Sequence, residues 1–74
     1  VSDNLPSGRE WVARFAAATG QSDLSDADVE ALLDLAGVAA HSSERLAAPL
    51  ACFLVGRAGM DPAAALELSR TLLD

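Results

Sequence analysis

Apolar residues in this chain recur at three- and four-residue intervals, and nowhere do they alternate one by one with polar residues. That spacing lines one face of an α-helix, whereas a half-buried strand needs a period of two. Capping residues, glycines and prolines then cut the pattern into short pieces. A chain punctuated in this way can bury its apolar residues only by packing several short amphipathic helices together. The expected fold is therefore all-α, a compact bundle of four short helices, with residues 1–6 as a flexible lead-in and residues 7–74 as a single helical domain.

Ser7 and Glu10 have the spacing of a capping box, in which hydroxyl and carboxylate satisfy each other's free amides. From there Trp11, Val12, Phe15, Ala16 and Thr19 recur at helical spacing, and Gly20 stands where a left-handed C-cap belongs. In the next segment Ser25 or Asp26 can cap a helix whose first turn holds Asp26, Asp28 and Glu30, carboxylates that complement the positive end of the dipole. Val29, Leu32, Leu33, Ala36 and Ala40 form its apolar face, which Leu35 and Val38 widen, and it is expected to run to about His41. Gly37 inside it costs about 1 kcal/mol against alanine, which suggests a close helix–helix approach at that point.

Ser42 and Ser43 offer another cap, with Glu44 in the following turn. Pro49 then restricts the backbone, because proline inside a helix deletes a hydrogen bond and clashes with the carbonyl four residues back. Either residues 44–48 form an extra helical turn before a helix over residues 49–57, or one helix is kinked at Pro49; the first arrangement is favoured. Leu50, Phe53, Leu54 and Ala58 give that helix a stripe, and Cys52 and Val55 make it apolar nearly all round. It is accordingly expected to be the central helix, with Phe53→Ala costing about 3–5 kcal/mol through the cavity left behind. The last helix starts at Asp61 and Pro62, a cap followed by a proline whose missing amide is no loss. Ala65, Leu66, Ser69, Leu72 and Leu73 carry its apolar face.

With 51% apolar residues among 74, the chain is too hydrophobic to stay disordered. A domain this small still buries only about 60% of its unfolded surface and is marginal without a staple or a partner. A single cysteine excludes an internal disulfide framework and a multi-cysteine zinc site. The net charge is −6, and the five bases, Arg9, Arg14, Arg45, Arg57 and Arg70, are scattered. Nucleic acid and anionic membranes would repel such a chain, so neither is an expected partner. No apolar run approaches the 18 or so residues of a membrane span and no signal segment is evident, so a cytoplasmic location is expected.

Few residues offer chemistry. His41 is the sole histidine. It could be a proton shuttle or a ligand near Glu44 and Arg45, but the simpler reading is a ring nitrogen meeting a free carbonyl at a helix end. Cys52 lies between Ala51 and Phe53 in the most apolar segment, a setting for a buried thiol rather than a nucleophile. The run from Gly56 to Gly59 is too short for a phosphate loop and follows no strand. The carboxylates are explained by capping and solvation. An acyl-carrier module would need a serine followed by leucine at a helix start, and no such pair occurs. Trp11 either packs against the last two helices or stands half exposed as an anchor for a partner. No catalytic, cofactor-binding or metal-ligating set emerges, and a non-catalytic interaction module is the expected class.

The succession of Leu32, Leu33, Asp34, Leu35 and Ala36, then Ala39, Ala40, His41, Ser42, Ser43, Glu44 and Arg45, is distinctive. Ala47, Ala48, Pro49 and Leu50, then Phe53, Leu54, Val55 and Gly56, and finally Asp61 and Pro62, complete it. This pattern, from about Trp11 onward, resembles a small uncharacterised actinobacterial helical domain family. Members of that family occur alone or appended to molybdenum-cofactor guanylyltransferases, which make molybdopterin-guanine dinucleotide. The family pattern tends to place proline after the arginine, where Leu46 stands here. The resemblance implies an accessory module that docks on a molybdenum-cofactor biosynthesis protein or a molybdoenzyme; self-association is the other expected partnership. It also brings His41, Glu44, Arg45 and Pro49 together as a candidate interaction corner. A guanidinium there can fork onto a carboxylate or phosphate, or merely tie down the loop. The alternative function is a small-molecule or cofactor-binding domain in which Arg45 and His41 hold an anionic group. An enclosed pocket containing both would mark a binder; an exposed apolar strip above about 400 Å² would mark a docking module.

Overall fold

The computed structural model describes residues 5–72. Four helices follow one another: α1 (Gly8–Ala18), α2 (Asp26–Ser42), α3 (Ala47–Ala58) and α4 (Pro62–Arg70). The all-α bundle expected from the apolar spacing is what forms. Most of the lead-in, and Leu73 of the last apolar face, lie outside the described residues.

Each helix begins and ends for a local reason. At α1 the capping box closes as anticipated, with Ser7 Oγ accepting from the Glu10 amide at 3.1 Å and Glu10 Oε1 accepting from the Ser7 amide at 2.8 Å. Gly20 at φ 75° stops the helix, and the Gln21 amide folds back onto the Ala16 carbonyl at 2.8 Å. Ser25, rather than Asp26, caps α2 by accepting from the Asp28 amide at 3.1 Å. Asp61 caps α4 through the Ala64 amide at 3.2 Å, with Pro62 in the first turn.

The segment between α2 and α3 departs from expectation. Ser42 and Ser43 do not open a helix: Ser42 is the last residue of α2, its hydroxyl donating to the Val38 carbonyl at 2.6 Å, and Ser43 is the C-cap. A serine hydroxyl reaches a carbonyl one turn back as readily as a free amide ahead. The extra turn before Pro49 exists but belongs to α3. The Ala47 amide donates to the Glu44 carbonyl at 2.9 Å and the Ala48 amide to that of Arg45 at 3.1 Å, and the helix proper begins at Ala47. Pro49 thus neither starts nor kinks α3. It occupies the third helical position, where an amide has no intrahelical acceptor to lose. Gly59 at φ 67° ends α3, with the Met60 amide returning to the Val55 carbonyl at 3.1 Å.

The core is small and sits on α2, not on α3. Its buried residues are Ala31 and Leu35 of α2 with Ala65 and Leu66 of α4. Leu32, Val38, Val55 and Met60 pack half-buried around them. Helix α2 touches both α3 and α4 and is the central element. The expectation that residues 49–58 form the centre is therefore corrected. Helix α3 has no buried residue, and Phe53 is 64% exposed rather than enclosed. A helix that is apolar all round says that it should be covered, but not by which neighbour. Here the 17-residue α2 has the length to hold both partners, and α3 offers it only small side chains.

Gly37 is also corrected. Among the described residues a Cβ built there meets nothing within 4 Å, so none of the other three helices approaches it closely. Gly37→Ala is expected to raise stability by about 0.5–1 kcal/mol, since alanine loses less backbone entropy in a helix. Urea denaturation checks this; a lower midpoint would mean that a neighbour does press on that position.

Candidate interaction surface

The corner residues do not converge on a pocket. His41 lies in the last turn of α2, and Glu44, Arg45 and Pro49 follow, all exposed. Among the described residues no side-chain hydrogen bond or ion pair involves His41, Glu44 or Arg45. The loop is shaped instead by the Glu44 and Arg45 backbone carbonyls. His41 lines an open cleft of about 790 Å³ between α2 and the end of α4, beside Asp34, Ser42 and Arg70. Arg45 is not part of that cleft, so the two residues expected to grip one anion face different surroundings. Arg70 already pairs with Glu67 at 2.9 Å.

The apolar surface is more pronounced. Trp11 and Phe15 stack with ring centroids 5.2 Å apart on the outer side of α1, a helix with no buried residue. They are 54% and 56% exposed, so Trp11 stands as a half-exposed side chain and does not pack into the core. A cleft of about 480 Å³ separates α1 from α2, lined by Val12, Leu24, Val29, Leu32 and Leu33, with Arg9 at its rim. The Arg9–Asp26 pair at 3.0 Å links the two helix starts and is open to solvent, which makes it weak. A further cleft of about 420 Å³ runs between α3 and α4, with Leu35 as its floor and Leu54, Val55 and Leu68 among its walls.

Helix α3 is inverted relative to an ordinary surface helix. Its half-buried residues are Ala47, Ala48, Ala51, Cys52 and Val55, while Leu50, Phe53 and Leu54 face out. The Arg57 guanidinium lies 5.6 Å from the centre of the Phe53 ring, a cation–π contact on the exposed side. Sequence reasoning merged these two faces into one apolar cylinder. The steps of four, three and four from Leu46 to Leu50, Phe53 and Arg57 are the signal that separates them. Cys52 is half-buried against α2, its thiol 3.9 Å from the Leu32 carbonyl. Burial pushes its pKa above that of an ordinary thiol, so it stays protonated at neutral pH and is a poor nucleophile.

Among the described residues no group of three or more His, Cys, Asp or Glu could hold a metal ion, and no helix is long and apolar enough to cross a membrane. No curated protein and no solved structure matches the chain. A family model does, over residues 3–73, nearly the whole length in which the four helices and their caps lie, and the chain belongs to that family, described as "Domain of unknown function (DUF6457)".

Proposed function

We propose that this chain is a non-catalytic accessory module that works by docking in the cytoplasm onto a protein of molybdenum-cofactor biosynthesis or a molybdoenzyme. One observation carries the docking part: Trp11, Phe15 and Phe53, the Trp, Tyr and Phe complement of the chain, are each more than half exposed, over a core in which four of the described residues are buried. Solvent-exposed aromatics on a marginal core are costly unless another surface covers them. Tryptophan is also among the residues most enriched at interface hot spots. The molybdenum context comes from the resemblance to domains appended to guanylyltransferases. The anion-holding alternative is not favoured by the open cleft at His41, which Arg45 does not line.

Titration calorimetry of the purified chain against the molybdenum-cofactor guanylyltransferase from the same source tests this. The expected result is a dissociation constant of about 1–10 μM, weakened at least about tenfold by Trp11→Ala. Absence of heat and of co-elution at about 100 μM, where a complex of that affinity would be saturated, would remove the enzyme from the reading.

A further inference from the structure

Helices α3 and α4 both pack on α2, and the cleft of about 420 Å³ between them has Leu35 of α2 as its floor. Leu54 and Ala58 on one wall, and Leu68 and Leu72 on the other, repeat at steps of four. Rows with that spacing are ridges between which the side chains of a further helix fit. The three leucines are each more than half exposed, so nothing in the fold covers the walls. The walls are built on helices of twelve and nine residues, about 14–18 Å long, which matches two to three turns of an incoming helix.

Charge separates this cleft from the other two. The His41 cleft holds Asp34 beside Arg70, and Arg70 pairs with Glu67. Arg9, at the rim of the cleft between α1 and α2, pairs with Asp26. The cleft between α3 and α4 has a single charged lining residue, Arg57, and among the described residues no carboxylate pairs with it. The two carboxylates that follow it in the described chain are engaged elsewhere: Asp61 caps α4 and Glu67 holds Arg70. Residues 45–60 are the longest stretch without a carboxylate and carry two arginines, whereas the rest of the chain sets three arginines against eleven carboxylates. An arginine over an aromatic ring, as Arg57 is over Phe53, still presents its fork of N–H donors to a carboxylate.

We infer that this cleft seats an amphipathic helix of a partner protein, with its apolar edge on Leu35 and its flanking carboxylates toward Arg57. An apolar helix face laid in a groove, anchored at steps of three and four, is a recurrent mode of recognition. A small amphipathic anion fits less well, because ligand pockets bury most of the ligand's surface and this cleft is open. The inference rests on the docking reading for the existence of a protein partner, but not on that partner being a guanylyltransferase.

A display library of helical peptides tests it on the full chain, with leucine fixed at steps of three and four and Glu, Lys or Gln allowed elsewhere. Retained peptides are expected to be rich in glutamate, to bind at about 10–100 μM and to shift the methyl resonances of Leu54 and Leu68. Replacing their glutamates by lysine, or Arg57→Glu in the chain, should each weaken binding at least about tenfold, and the two changes together should recover part of the loss. Arg57 is exposed, so Arg57→Glu is expected to keep its helices. If it does not, the comparison of glutamate and lysine peptides on the unaltered chain decides. No peptide retained at about 100 μM chain, glutamate and lysine peptides that bind alike, or shifts confined to the cleft between α1 and α2 would each overturn the inference. So would decanoate filling the cleft while no peptide is retained, which would make it a small-molecule site, or a dimer abolished by Arg57→Glu with no peptide retained, which would make it a self-association site. Acidic peptides that bind while the guanylyltransferase gives no heat remove the enzyme and keep the groove. Heat from the enzyme that Arg57→Glu leaves unchanged, with no peptide retained, removes the groove and keeps the enzyme.

Discussion

Leu35→Ala is expected to destabilise the fold by about 3–5 kcal/mol, the upper part of the range for truncating a buried leucine. Leu35 is only 4% exposed and, with Leu66, supplies the bulk of the cluster that the two share with Ala65. It also forms the floor of the cleft between α3 and α4, so its removal opens that cleft into the core. The cavity cannot be refilled cheaply, because two of the other buried residues, Ala31 and Ala65, are alanines with no side chain to reorganise. A chain of this length has a total stability of roughly 4–11 kcal/mol, so the substitution removes a large part of it. Guanidinium denaturation followed by helical circular dichroism gives the number. A loss below about 1 kcal/mol would mean that α2 is not the element around which the chain condenses.

Leu66→Ala is expected to cost about 2–4 kcal/mol, and its failure should be local before it is global. Leu66 and Ala65 are the only buried residues of α4, a helix of nine residues. A helix that short has no stability of its own in water and persists only through the face it packs. Its Asp61 cap contributes about 1 kcal/mol and the exposed Glu67–Arg70 pair at most about 0.5 kcal/mol. Without Leu66 the helix should fray from α2, so amides of α4 should lose exchange protection well before those of α2. Uniform loss of protection across both helices would show that α4 is a full member of the cooperative unit. Leu35 and Leu66 share a cluster, so the double substitution should cost measurably less or more than the two singles added together.

The helix ends were legible in the sequence because they are decided within a few residues. Ser7 with Glu10, Gly20, Ser25, and Asp61 with Pro62 all act through hydrogen bonds that span at most five positions, and each does in the structure what its residue type requires. The two serines before α3 misled for the same local reason. A hydroxyl can satisfy a carbonyl behind it or an amide ahead of it, and Ser42 took the carbonyl. Residue type alone does not choose between those acceptors and donors.

The candidate corner was a different case. His41, Glu44 and Arg45 are neighbours along the chain, but each points according to the end of a helix or the path of a turn. His41 came to lie beside Arg70, a residue 29 positions away, in an open cleft. Trp11 could not be assigned from its own helix, because burial depends on how far other helices cover it, and it is left 54% exposed.

What the sequence alone determined is the set of cylinders: their number, the starts of all but α3, and the apolar character of each. Those properties follow from short-range capping and from side-chain spacing along one helix. Only the tertiary structure decided which cylinder lies in the middle and which faces stay wet. Hydrophobic burial is non-directional, so an apolar stripe specifies a need for cover without naming the neighbour that supplies it. In this chain α2 took the centre because the small side chains of α3 and the buried pair on α4 both fit against it, and the bulky side of α3 was left outside.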